Sequence, residues 1–142
     1  MIIRILFLAL LALCQSGASA DEHRCKGVSS ARDRFGDLKS LLLFGAYDSF
    51  FSEIDRAAGV EQGSSDELQL AVKRAYPAGF AHCETLVLIQ QEPSMHLELI
   101  LLRDADGKGL FVGWHSYSFE GNLFIPKYWI STDYDTVSEF WR

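Results

Sequence analysis

Three side chains in the C-terminal half of the sequence, Glu98, His115 and Tyr117, are of the types that carry out acid–base chemistry. A carboxylate next to an imidazole orients the ring and favours its protonated form, which can then transfer a proton in a reaction. A tyrosine hydroxyl nearby can donate a hydrogen bond to a bound molecule. Glu98 and His115 are therefore candidates for a catalytic dyad, with Tyr117 as the hydrogen-bond donor.

Whether these side chains meet depends on the turn between two predicted strands. Asp106-Gly107 is a strong signal for a two-residue hairpin turn. The register that such a turn sets places Glu98 opposite His115 on one face of the hairpin. It places Leu99 opposite Trp114 on the other face, which is apolar and suited to packing against helices.

The face that carries His115 also holds candidates for ligand binding. They share an aromatic or imidazole ring, and they are His96, Phe111, Phe124 and Tyr128. Gly113 lies among them and leaves room for a ligand, and apolar walls around a few polar groups are typical of a pocket. The other interpretation is structural pairing or a partner-binding surface, because oppositely charged cross-strand pairs are ordinary stabilisers of a sheet. The pattern favours this second interpretation.

Helices and then strands are predicted to position these side chains. The apolar spacing predicts helices from about residue 30 to Gly45, from Asp48 to Gly59 and from Ser64 to Pro77, with Asp48 and Ser64 as N-caps. Four strands follow over residues 85–90, 95–103, 110–119 and 123–131. Pro126 indicates an edge position or a bulge in the fourth strand. This order predicts the α+β class, with residues 21–142 as a single α+β domain.

Residues 1–20 have the three parts of a secretory signal peptide. Arg4 supplies the positive charge, residues 5–13 form an apolar run, and Ala18-Ser19-Ala20 gives the small-x-small pattern before cleavage. The apolar run is too short to cross a bilayer, which needs roughly 20 residues. Lipid attachment at Cys14 is disfavoured because the residue before it, Leu13, is not small. We therefore expect a periplasmic or secreted protein with no membrane association after cleavage.

The net charge limits the classes of partner that the chain can bind, and the cysteines indicate the compartment in which it folds. Cys25 and Cys83 predict one disulfide in an oxidising compartment, with two free thiols as the alternative. The chain has 19 acidic and 13 basic residues and a formal net charge of −6, with no basic cluster to bind nucleic acid or anionic lipid. The histidines lack the spacing of a zinc site, and we expect neither a metal nor a cofactor.

The start of the second helix (residues 45–51), the capped third helix and a meander that ends at residues 129–133 together resemble the NTF2-like (cystatin-like cone) superfamily. The resemblance implies helices packed on a curved antiparallel four-stranded meander, with a cone-shaped cavity and dimerisation through the sheet. Members of this superfamily include isomerases, dehydratases and many binding proteins without enzymatic activity. The catalytic Asp/Tyr and His/Asp pairs of its enzymes have no matching motif in this sequence.

The sequence thus favours an exported binding or interaction protein of the bacterial envelope over an enzyme. Its expected partner is another protein, for instance a toxin that it inhibits, or a small apolar ligand, and a homodimer is compatible with the resemblance. The alternative is an NTF2-like small-molecule binder or isomerase-like enzyme that uses Glu98, His115 and Tyr117 in a pocket.

Overall fold

The computed structural model describes Cys25, residues 35–91 and residues 95–139. The expected signal peptide and its cleavage site lie outside these residues. Within them, the elements in chain order are the helices α1 (Gly36–Leu43), α2 (Tyr47–Ala58) and α3 (Asp66–Ala75), the strands β1 (His82–Gln91), β2 (Met95–Arg103), β3 (Gly109–Phe119) and β4 (Asn122–Ser131), and the short helix α4 (Tyr134–Ser138). Helices precede an antiparallel meander, so the predicted α+β class is confirmed.

The four strands form one antiparallel sheet in the order β1-β2-β3-β4, which makes β1 and β4 its edges. The register shifts between Thr85 and Val87 in β1, and again between His115 and Tyr117 where β3 pairs with β4. Pro126 lies in the second of these irregularities. A proline has no N–H to give to a strand ladder, and both the edge position and the bulge predicted for Pro126 are confirmed.

The two faces of the sheet are covered differently. Helices α1, α2 and α3 pack on one face, here termed the inner face. The hydrophobic core that they form with it includes Leu42, Phe50, Ile54, Ile100, Val112 and Trp114. Helix α4 packs on the opposite, outer face, where Val137 is buried against Leu99 and Trp129. None of the described helices combines the length and the apolarity needed to cross a membrane.

A glycine fixes the connection between the last of these three helices and the first strand of the sheet. Gly79 has a φ of +75°, and a Cβ at this position would lie 2.4 Å from the carbonyl oxygen of Leu43. That carbonyl, at the end of α1, accepts a hydrogen bond of 3.0 Å from the backbone N–H of Phe80. Only glycine allows this close approach, which fixes the start of β1 against α1.

Two predicted helix caps are wrong. Helix α2 begins at Tyr47, so Asp48 lies in its first turn and accepts a hydrogen bond from the Gln69 side chain instead of capping the helix. Helix α3 has Ser65 rather than Ser64 at its N-cap. No side-chain hydrogen bond caps the N-terminus of α2 or of α3. The Ser65 hydroxyl instead donates to Asp55 Oδ1 at 2.5 Å and thereby joins α3 to α2.

The predicted register of β2 and β3 is wrong by one residue. Asp104, rather than Ala105, pairs with Lys108, and the Asp104 N–H donates to the Lys108 carbonyl at 3.1 Å. The Asp104 carboxylate also accepts from the backbone N–H groups of Asp106 (3.0 Å) and Lys108 (2.8 Å). With Gly107 at a φ of +84°, these bonds make a three-residue loop with a left-handed glycine instead of a two-residue turn. Because side chains alternate along a strand, the one-residue shift moves every side chain of β2 to the opposite face of the sheet relative to the side chains of β3.

Candidate functional site

The predicted dyad does not form, because Glu98 and His115 lie on opposite faces of the sheet. Glu98 pairs with Trp114 on the inner face, whereas His115 pairs with Leu97 on the outer face. Trp114 and His115 themselves lie on the faces predicted for them. Between these two strands the correction therefore concerns the side chains of β2, and Tyr117 stays on the face of His115 without the carboxylate.

Glu98 takes part in a buried ion pair between a helix and the sheet. Its Oε1 lies 2.5 Å from Nζ of Lys39 in α1, and the two side chains are only 3% and 7% exposed. The Thr85 hydroxyl on β1 donates to the same oxygen at 3.2 Å. Two opposite charges in one buried pair compensate each other, so this contact ties α1 to β1 and β2.

The four predicted ligand-binding residues are divided between the two faces. His96 pairs with Ser116 on the inner face, and its ring meets Phe35 edge-on at 6.4 Å. Tyr128 also lies on the inner face, where its hydroxyl is 2.5 Å from Ser65 Oγ. Phe111 and Phe124 lie on the outer face, and they pair with Ser131 and Tyr117. The structure therefore does not bring these four side chains together in one pocket.

The space predicted above Gly113 is already filled. Trp129 pairs with Gly113 on the outer face, and a Cβ at Gly113 would lie 2.4 Å from Cε2 of the indole. Because Gly113 has no side chain, the indole of Trp129, which is 7% exposed, packs closely on it and occupies the space predicted for a ligand. This part of the outer face is thus hydrophobic core beneath α4.

The other end of the outer face has no helix on it within the described residues. Six apolar side chains from β1 to β4 form a contiguous surface there, which we call the outer patch: Ile89, Met95, Leu97, Tyr117, Phe119 and Phe124. Ile89 is 47% exposed, Met95 57%, Tyr117 39% and Phe119 61%. The rings of Tyr117 and Phe124 are stacked with centroids 5.1 Å apart. A contiguous exposed apolar surface of this kind marks interaction sites in soluble proteins.

His115 lies between the outer patch and the part of the face that α4 covers. Its ring meets Trp129 edge-on at 5.3 Å, and its Nε2 is buried with no hydrogen-bond partner among the described residues. Burial, with the charge of Lys127 directly across the strand pair as a second cause, lowers the pKa of His115 below its ordinary value of 6.5. The ring is therefore held in its neutral form at neutral pH, where it acts as an apolar packing group.

We expect stability to fall as the pH drops below about 6.5. In that range the unfolded chain protonates His115 near its ordinary pKa, whereas the folded protein resists protonation, so the unfolded state binds more protons. Urea unfolding of the natural protein and of His115→Gln on both sides of this pH would measure the effect. The variant should lose part of the pH dependence, and an identical dependence in both proteins would show that His115 is not responsible.

The residues of the outer patch that expose most apolar surface were not predicted as a site. Met95 and Ile89 have no chemistry of their own, and their common face depends on the register that the Asp104 loop sets. No group of metal-binding side chains is formed within the described residues. Comparison of the chain with protein-family models, with curated proteins and with solved structures gives no match.

Proposed function

We propose that this chain is an exported binding protein that recognises another protein through the outer patch. The observation that carries the proposal is the exposure of four large apolar side chains side by side on the sheet. The rings of Tyr117 and Phe119 alone present roughly 200 Å² to solvent, given that an aromatic side chain offers 150–250 Å². Aromatic residues and methionine are the residue types that protein interfaces favour.

The separation of Glu98 from His115 supports a binding role over catalysis. Catalysis by the predicted dyad requires the carboxylate within hydrogen-bond reach of the imidazole. Here the carboxylate is bound to Lys39 on the far side of the sheet. Tyr117 is stacked on Phe124 in the outer patch, where it offers contact area.

The proposal also includes export to an oxidising compartment and an NTF2-like cone. Export to an oxidising compartment is supported by the pairing of Cys25 with Cys83, whose Cα atoms are 4.4 Å apart. An NTF2-like cone is supported by the packing of three helices on the inner face of the meander. The register shift in β1 and the one between β3 and β4 add to it, since bulges bend a sheet.

A photoreactive amino acid at position 119 would test the proposed surface in cells that produce the full chain. Phe44 is the matched control, because it is a phenylalanine that is 62% exposed, against 61% for Phe119, and it lies at the end of α1 instead of in the outer patch. We expect one cross-linked partner protein from position 119 and none from position 44. In binding assays with that partner, Phe119→Lys should weaken affinity at least about tenfold, and Phe44→Lys should leave it unchanged.

Cross-linking of equal yield from both positions would contradict the proposal, as would a partner that binds Phe119→Lys and the natural protein equally well. A product containing only two copies of this chain would show that the outer patch serves self-association. That result would replace the proposed partner protein with a second copy.

A further inference from the structure

Helix α4 runs back over the outer face towards the outer patch. The chain leaves the end of β4 and reverses its direction before α4 begins at Tyr134. The ring of Tyr134 lies 5.5 Å from that of Phe111, which is near the end of β4. Val137, further along α4, is buried against Leu99 and Trp129, and both of these pair with the β3 residue two positions nearer to the outer patch than Phe111. The direction from Tyr134 to Val137 therefore leads towards the outer patch.

The backbone is still helical where the described part of this helix ends. Glu139 has a φ of −63° and a ψ of −21°, which lie in the right-handed helical region. The sequence continues with residues 140–142, Phe-Trp-Arg, which lie outside the described residues. Residues i, i+3 and i+7 share one face of an α-helix, and Tyr134, Val137 and Trp141 have this spacing. A helix continued to residue 141 would therefore direct Trp141 towards the sheet.

Step lengths along the helix and along the sheet place residue 141 over Leu97. Four residues of α-helix beyond Val137 rise by about 6 Å. Neighbouring side chains on one face of a strand are about 6.8 Å apart. On β2 the outer-face side chain that follows Leu99 towards the outer patch is Leu97, and it pairs with His115 of β3. One further turn of helix beyond Val137 therefore reaches Leu97 and His115.

The side chains at this place suit an aromatic ring. Leu97 is apolar, and the ring of His115 is neutral at neutral pH because burial lowers its pKa. His115 already packs edge-on against one indole, that of Trp129, at 5.3 Å. Both Leu97 and His115 are half-buried, so each has surface left for a further contact. A second indole on the other side of the imidazole would extend the apolar packing that begins under α4.

We propose that α4 continues to residue 141 and seats Trp141 on Leu97, beside His115, at the border of the outer patch. The inference rests on the direction of α4 and goes beyond the proposed function, since it concerns a contact within one chain. The indole then closes the outer patch on the side of α4. Four exposed side chains stay available to a partner protein: Ile89, Met95, Tyr117 and Phe119.

A double-mutant cycle between positions 97 and 141 tests the inference, with urea unfolding of the full chain as the measurement. Leu97→Ala and Trp141→Ala remove the two side chains separately and together. If the side chains touch, the double variant loses less stability than the two single losses add up to. We expect its equilibrium constant for unfolding to be at least about fivefold smaller than the two single variants predict.

Phe119 provides the matched control, because it belongs to the outer patch but lies about 13 Å beyond His115 along β3. The effects of Phe119→Ala and Trp141→Ala should therefore be additive. Nuclear Overhauser contacts between the indole protons of Trp141 and the methyl groups of Leu97 should appear in the natural protein. This second measurement needs no substitution, so it holds even where a variant is poorly folded.

Additive effects at positions 97 and 141 would overturn the inference, as would the absence of Overhauser contacts between Trp141 and Leu97. Coupling of Trp141 to Phe119 as strong as its coupling to Leu97 would also overturn it, because the indole would then not be held at the border of the outer patch. Failure of the cross-linking experiment at position 119 would leave the coupling between positions 97 and 141 in place, so the two proposals fail separately.

Discussion

Glu98→Ala is expected to lower the free energy of unfolding by about 3–5 kcal/mol, because it removes one partner of a buried ion pair and leaves the ammonium group of Lys39 buried. Both side chains are almost fully buried, at 3% and 7% exposure, so bulk water does not solvate the charges of the pair. The Thr85 hydroxyl also loses the oxygen to which it donates. Urea unfolding followed by circular dichroism would measure the loss.

The ion pair between Lys73 and Asp48 provides the matched control. Its atoms are 3.5 Å apart and the two side chains are 54% and 73% exposed. Asp48→Ala should change the free energy of unfolding by no more than about 1 kcal/mol, as is usual for exposed pairs. Comparable losses in Glu98→Ala and Asp48→Ala would show that burial does not set the cost of breaking the Lys39–Glu98 contact.

A double substitution tests whether the protein needs the ion pair itself or only the stability that the ion pair maintains. Lys39→Met combined with Glu98→Leu replaces two opposite charges with apolar side chains of similar length. Such replacements are often neutral or stabilising, so the double variant should recover most of the stability that Glu98→Ala loses. If binding through the outer patch survives in the double variant, Glu98 has a structural role only.

Much of the architecture could be predicted from the sequence because it depends on local patterns. Segments rich in Leu, Val and Ile between turn signals predicted the strands of the meander, and Pro126 indicated an edge position or a bulge where the structure has both. The inner position of Trp114 and the pairing of Cys25 with Cys83 were also predicted correctly. Apart from the disulfide, which joins residues 58 apart and was predicted from the pair of cysteines, each of these depends on a residue type or a period that a short segment already contains.

The candidate site could not be predicted, because it depends on a loop closed by one side chain. Asp106-Gly107 is compatible with either a two-residue turn or a three-residue loop, and the Asp104 carboxylate stabilises the longer one. That single residue decides which face of the sheet carries Glu98. The burial of Glu98 further requires Lys39, which is far away in the sequence and whose approach depends on the packing of α1.

Reduction of the disulfide between Cys25 and Cys83 is the second large effect that we expect. The two cysteines are 58 residues apart, and in the chain-entropy description a cross-link of that span stabilises the folded state by about 4 kcal/mol. Cys83 is buried on the inner face at the start of β1, opposite Leu102. The bond therefore fastens Cys25 to the edge of the core.

Urea unfolding with and without a reductant would measure this contribution directly. We expect the natural protein to lose about 4 kcal/mol on reduction and Cys25→Ser to be equally destabilised without reductant. Cys25→Ser should then show no further response to reductant, which controls for effects of the reagent on the rest of the chain. If the natural protein unfolds at the same urea concentration under both conditions, the disulfide does not stabilise the fold. If thiol alkylation labels both cysteines in the folded protein as purified, the pair is not oxidised in the cell, and the support that it gives to export is lost.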